Sequence, residues 1–218
     1  MKDPVMTFQG QPNIILSFDT TGNQDSIAVS IAGKVEVKCL PQGGSGVQSV
    51  ILVPEMAALL QKYGYKLRDV DLICVLTGPG SFTGIRLGLA TAQGLQIATN
   101  CRVFAPNLLD LLLSMMPDAV AAVDSKRNDY FVKMDNKVQV MEWEQLHHLS
   151  QCRTIITAEV VPGIKSIVPQ APLASELIAY HARLPEASLA VSLEPYYLRN
   201  PDFAKKKTFM QIQLEDKP

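Results

Sequence analysis

Two stretches in the two halves of the chain follow one pattern: "SFDTTGNQDSIAVS" (17–30) and "AAVDSKRNDYFVKM" (121–134). Each is an apolar strand closing on an aspartate, then a polar turn, then a second strand. The echo suggests two related lobes, each opening with a strand, an Asp and a turn. With 218 residues there is room for one large domain or for two small lobes sharing a core.

The remaining segments fit an α/β chain. "NIILSFDTT" (13–21), "SIAVSIAG" (26–33) and "KVEVKC" (34–39) read as three strands joined by tight turns. After the loop "LPQGGSG", the stretch 47–65 places Leu52, Met56, Leu59 or Leu60, and Tyr63 on one helical face. Pro54 inside it should kink the helix or mark a late start. "VDLICVLTG" (70–78) reads as a buried strand, 82–98 as a helix, "RVFA" as a short strand and 106–116 as another helix. Strands then fill 118–141; beyond them only "EWEQLHHL" and 173–184 read as helices. The expected organisation is a loose extension over 1–12, an N-terminal lobe over 13–105 and a C-terminal lobe and tail over 106–218.

Charge and cysteines narrow the function classes. The formal charge is −1, from 20 basic and 21 acidic residues, which argues against a chain that grips nucleic acid alone. Cys39, Cys74, Cys101 and Cys152 lie far apart, without a CxxC pair or metal-ligand spacing. Cys74 and Cys101 sit in apolar runs and read as buried free thiols, which fits a reducing cytoplasm. No apolar run approaches the length of a membrane span, so a cytoplasmic, soluble protein is expected.

The stretch "TGPGSFTGIRLGLATAQGL" (77–95) joins a glycine-rich turn to a helix. Ser81 is placed to cap that helix by accepting from the N–H of Thr83 or Gly84. The helix start is also an anion site in outline. It is not a Walker A loop: no Lys-Ser or Lys-Thr pair follows, and the first cation, Arg86, lies inside the helix. Gly84, Gly88 and Ala92 recur every four residues and leave one face almost without side chains. Each interior glycine costs roughly 1 kcal/mol against alanine, so such a face predicts close backbone contact with another helix.

The catalytic inventory is thin. Asp19, followed by Thr20 and Thr21, could orient a metal or water beside a phosphate, or could simply tie off a hairpin. Nothing else completes a phosphoryl-transfer set. The adjacent His147 and His148 cannot share one site on a helix, and His181 stands alone. Ser81 has no base in view and no metal ligand set can be assembled, so no catalytic residue, metal or cofactor is expected. The Lys205–Lys207 run reads as a solvated tail.

In five stretches the chain closely resembles the bacterial TsaB (YeaZ) family. They are "ILSFDTTGNQDSIAVSI", "QSVILVPEMAALL", "LTGPGSFTGIRLGLATAQGL", "AAVDSKRNDYFVKM" and "EPYYLRNP", in family order over 13–207. The resemblance implies an actin-like ATPase (ASKHA, ribonuclease H-like) fold of two lobes without the catalytic equipment of the relative TsaD. It further implies a non-catalytic partner subunit for threonylcarbamoylation of adenosine 37 (t6A37) in ANN-reading tRNAs. That subunit supports the TsaD transferase with TsaE, meets tRNA only through the complex, and leaves a homodimer open when alone. The pairing surface it implies is a bundle of helices 48–62 and 84–98, here carrying Gln48, Leu52, Met56, Gly84, Gly88 and Ala92. Gln48 stands where family members often carry a histidine. Asp19, Thr20, Gly80, Ser81 and Asp124 would then outline a vestigial nucleotide cleft. The rivals are an active ATP-dependent phosphotransferase using Asp19 and Asp124, and a glycoprotease-like hydrolase.

Overall fold

The computed structural model describes residues 14–41, 46–184 and 193–198. The expected N-terminal extension and the Lys205–Lys207 run lie outside the described residues.

Strand β1 (Ile14–Asp19) is buried along its whole length and sits at the centre of the first sheet. It pairs antiparallel with β2 (Ser26–Ile31), which pairs antiparallel with the exposed edge strand β3 (Lys34–Cys39). On its other side it pairs parallel with β4 (Leu72–Val75), and β4 in turn with β5 (Arg102–Phe104), in the order β3-β2-β1-β4-β5. The continuous apolar runs of β1 and β4 follow from their central position, since a strand covered on both faces needs no polar alternation.

The second sheet repeats this order. Strands β6 (Val120–Asp124), β7 (Asp129–Met134) and β8 (Lys137–Glu142) form an antiparallel meander. Strand β9 (Ile155–Thr157) pairs parallel with β6, and the two-residue β10 (Ser166–Ile167) pairs parallel with β9. The order β10-β9-β6-β7-β8 mirrors the first sheet strand for strand. The repeated strand–Asp–turn–strand unit in the sequence is therefore the opening of each of two sheets of like topology.

Helix α1 (Val47–Gln61) buries Leu52, Met56, Leu59 and Leu60. Pro54 lies inside it and does not delay its start; the residue faces solvent, which can serve the carbonyl one turn back. Tyr63, expected on the buried face, falls beyond the helix end, is exposed, and donates its hydroxyl to Glu36 on β3. Helix α2 (Phe82–Thr99) connects β4 to β5, and α3 (Leu108–Met115) leads to the second sheet. Helix α4 (Trp143–Ser150) precedes β9. Helix α5 (Leu173–Arg183) follows the second sheet in the chain yet packs on β1, β2 and β4 of the first.

One apolar core joins the two halves. Leu72, Cys74 and Leu76 of the first half meet Ala121, Val123 and Ile156 of the second through α3 and α5, whose leucines fill the space between. Cys74 and Cys101 are buried, as the apolar runs around them predict, while Cys39 and Cys152 are exposed.

Candidate functional site: the cleft between the two turns

The turn after β1 is held by its own side chains. Asp19 is buried, and its Oδ1 accepts from the Thr21 N–H at 2.8 Å and the Thr21 hydroxyl at 2.7 Å. Burial raises its pKa to about 6; the two bonds from Thr21 pull the other way, and the charges of Asp25 and Glu159 add to the rise. The Thr20 hydroxyl donates to the Gly84 carbonyl at 2.7 Å, and the Ser81 N–H donates to the Thr21 carbonyl at 2.7 Å. The first turn and the start of α2 are thus one hydrogen-bonded unit.

The glycine-rich turn makes that unit possible. Gly78 and Gly80 both have positive φ, at 109° and 155°, where a side chain would strain the backbone. Ser81 caps α2, its hydroxyl accepting from the Gly84 N–H at 3.2 Å as its position in the sequence predicts. At this helix start the Ser81 and Gly84 N–H groups are taken by the Thr21 carbonyl and the Ser81 hydroxyl.

The small-residue face of α2 serves the lobe, not a partner helix. A Cβ on Gly84 would stand 1.7 Å from the Thr20 carbonyl oxygen, and one on Gly88 would stand 2.7 Å from the Thr20 hydroxyl and 3.4 Å from Val75. Ala92 is fully buried, and so are Leu52 and Met56 of α1. The partner-contact expectation therefore needs correction at Leu52, Met56, Gly84, Gly88 and Ala92. Four-residue spacing shows which residues share a face; it does not show whether that face meets the chain's own sheet or another molecule. Gln48 remains half-exposed. Val47 and Val50 on α1 and Ile97 on α2 are exposed, the last two by 71% and 86%.

Opposite the first turn stands the turn after β6. Asp124 Oδ1 accepts from the Lys126 N–H at 2.6 Å, and the Lys126 ammonium lies 3.5 Å from Asp124 Oδ2. Thr21, Gly80, Asp124, Lys126, Tyr130 and Glu159 line the recess between the turns. Its cavity volume of about 70 Å³ is far below the roughly 300–1,000 Å³ of small-molecule pockets. Asp19 opens instead onto a second recess of about 200 Å³, beside Gln24, Cys39 and Gln170. Among the expected cleft residues, then, Gly80 and Asp124 share one recess and Asp19 belongs to the other. Thr20 and Ser81 line neither, their hydroxyls being engaged on α2.

Sequence reasoning missed Glu159, which reaches across the cleft between the recesses. Its Oε1 accepts from the Asn23 N–H at 2.5 Å, its Oε2 accepts from the Asn23 side-chain amide, and the Lys126 ammonium lies 3.5 Å from Oε2. No local signal marks a glutamate whose partner is 136 positions away. Among the described residues, no group of three or more His, Cys, Asp or Glu is placed to hold a metal ion. Among them, too, no helix is long and apolar enough to cross a membrane.

Two mixed sheets of like topology, joined by α3 and α5 and facing each other across paired Asp turns, define an actin-like α/β protein of two lobes. A model of the family "TsaD: tRNA N6-adenosine threonylcarbamoyltransferase" matches residues 40–177, more than half of the chain, and the chain belongs to that family. It is similar to a "tRNA threonylcarbamoyladenosine biosynthesis protein TsaB" from Haemophilus influenzae, at 28% identity over 67% of this chain and 63% of that protein. A protein of the same description from Buchnera aphidicola (Schizaphis graminum) is 27% identical over 46% of this chain and 47% of its own length. The Escherichia coli TsaB is 26% identical over 54% of this chain and 52% of that one. The chain thus matches from about half to just under two thirds of these relatives' lengths. The resemblance to the TsaB (YeaZ) proteins, first carried by sequence motifs, is upheld by these relatives. The fold is shared with YeaZ from Pseudomonas aeruginosa, with a TM-score of 0.59 at 19% identity over 85% of this chain and all of that one. A second Pseudomonas aeruginosa structure, an uncharacterized protein with similarity to peptidase YEAZ, gives 0.62 at 21% over 86% and all of that chain.

Proposed function

We propose that this chain is a non-catalytic partner subunit in the making of threonylcarbamoyladenosine at position 37 of ANN-reading tRNAs. In this reading it supports a TsaD transferase together with TsaE, and meets tRNA only through that complex. The names of the curated relatives supply the pathway. The observation that carries the non-catalytic role is the cleft: only about 70 Å³ lie between the turns, and Asp19, one oxygen of which is taken by Thr21, lines the other recess and does not meet Asp124 there.

The partner surface in this reading is the outward side of α1 and α2, around Val47, Val50 and Ile97. These apolar side chains lie on two helices whose other faces are already buried in the lobe. Co-purification with TsaD and TsaE, followed by a tRNA modification assay omitting each component in turn, tests the whole reading. Modification should need all of them, and the chain alone should show neither modification nor steady ATP turnover. Turnover that survives re-purification and is abolished by Asp19→Ala would favour the phosphotransferase rival.

A further inference from the structure

The second lobe departs from the first in the connection between its two parallel outer strands. In the first, β4 is followed by the glycine turn and α2 before β5; in the second, β9 and β10 are joined by a short loop over 158–165. Glu159 sits at the start of that loop, at the position topologically matched to the glycine turn, and points into the cleft. Its carboxylate receives the Asn23 backbone N–H, the Asn23 side-chain amide and, at 3.5 Å, the Lys126 ammonium. Two N–H donors and a cation converging on one group are the elements of an anion site. The approach depends on Gly22, where a Cβ would stand 2.9 Å from Glu159 Oε1.

We propose that Glu159 is a built-in anion that occupies a phosphate-type site between the turns and keeps the cleft divided. Gly22, Ala158 and Glu159 border both recesses, so the Glu159 side chain is part of the wall between them. Removing it joins the recesses and leaves Lys126, still beside Asp124 at 3.5 Å, bordering a space that an external phosphate group can enter. This goes beyond the partner-subunit reading and does not depend on it, because a self-filled cleft is a property of the chain alone.

The test is isothermal titration of the purified chain with sodium pyrophosphate, for the native protein and for Glu159→Ala. The native chain should bind weakly or not at all, and the variant at least about tenfold more tightly. Thermal melting establishes that the variant is folded; if Ala at this position fails to fold, Glu159→Ser takes its place in the same titration. Adding Lys126→Ala to the Glu159 variant should abolish the new binding, which locates it between the turns. Equal affinity in native and variant chains overturns the proposal. So does a folded variant that binds no pyrophosphate, or binding that survives the loss of Lys126. None of these outcomes touches the tRNA modification assay, so this inference and the partner-subunit reading stand or fall separately.

Discussion

The Thr20 carbonyl oxygen lies where a side chain on Gly84 would have to begin: a Cβ built there stands 1.7 Å from it, while the Thr20 hydroxyl bonds the Gly84 carbonyl at 2.7 Å. Glycine is required at this place because backbone meets backbone. Gly84→Ala forces the turn and α2 apart and should destabilise the fold by roughly 1–3 kcal/mol or more, outweighing the helix preference of alanine. Gly88→Leu should be worse, since it presses on Thr20, Val75 and Phe18 in the core. Urea denaturation measures both; wild-type stability in either variant would show that α2 can shift freely.

Gly94, on the same helix, has no atom within 4 Å of a built Cβ. Gly94→Ala should therefore stabilise the chain by about 0.5–1 kcal/mol, by restricting the unfolded state and favouring the helix. The contrast with Gly84, read by the same denaturation experiment, separates glycines that admit the turn from those that do not.

Asp19 gives the protein a pH signature. Its folded pKa of about 6 exceeds the ordinary 3.8, so the folded state holds a proton that the unfolded state releases. The stabilisation is complete below pH 3.8 and is lost as pH rises through 6, by roughly 3 kcal/mol in all. Burial raises Asp25 as well, so part of the slope remains without Asp19. Asp19→Asn should flatten most of the fall in stability between pH 4 and pH 7. An unchanged slope in denaturation midpoints across that range would remove Asp19 as its source.

Val50 and Ile97 test the proposed partner surface. Both are exposed on the outward side of α1 and α2, so Val50→Glu and Ile97→Glu should fold and melt like the native chain. Each should weaken pairing with TsaD by at least about tenfold in a titration or co-purification assay. Folded variants that pair with native affinity would move the partner surface elsewhere.

The four cysteines should divide by reactivity. Cys39 and Cys152 are exposed; Cys74 and Cys101 are buried, and burial pushes the Cys74 thiol well above its ordinary range. Two thiols should react quickly with a disulfide reagent in the native protein, and all four once it is unfolded.

What the sequence determined by itself is local. The pattern of apolar strand, aspartate and polar turn marked β1–β2 and β6–β7, and apolar periodicity marked α1, α3 and α5, because neighbouring residues dictate these choices. The Ser81 cap was legible for the same reason: its partner is three residues away. Strands β9 and β10 were not legible, since segments of three and two residues owe their form to parallel partners elsewhere in the sheet. Nor could spacing decide what the small face of α2 touches. Gly84, Gly88 and Ala92 share a face by helical geometry, but only the folding of Thr20 back onto that face assigns it to the lobe's interior. Glu159 shows the limit most plainly: it meets Asn23 because two sheets are packed through one core, and a contact made by packing leaves no trace in the residues beside it.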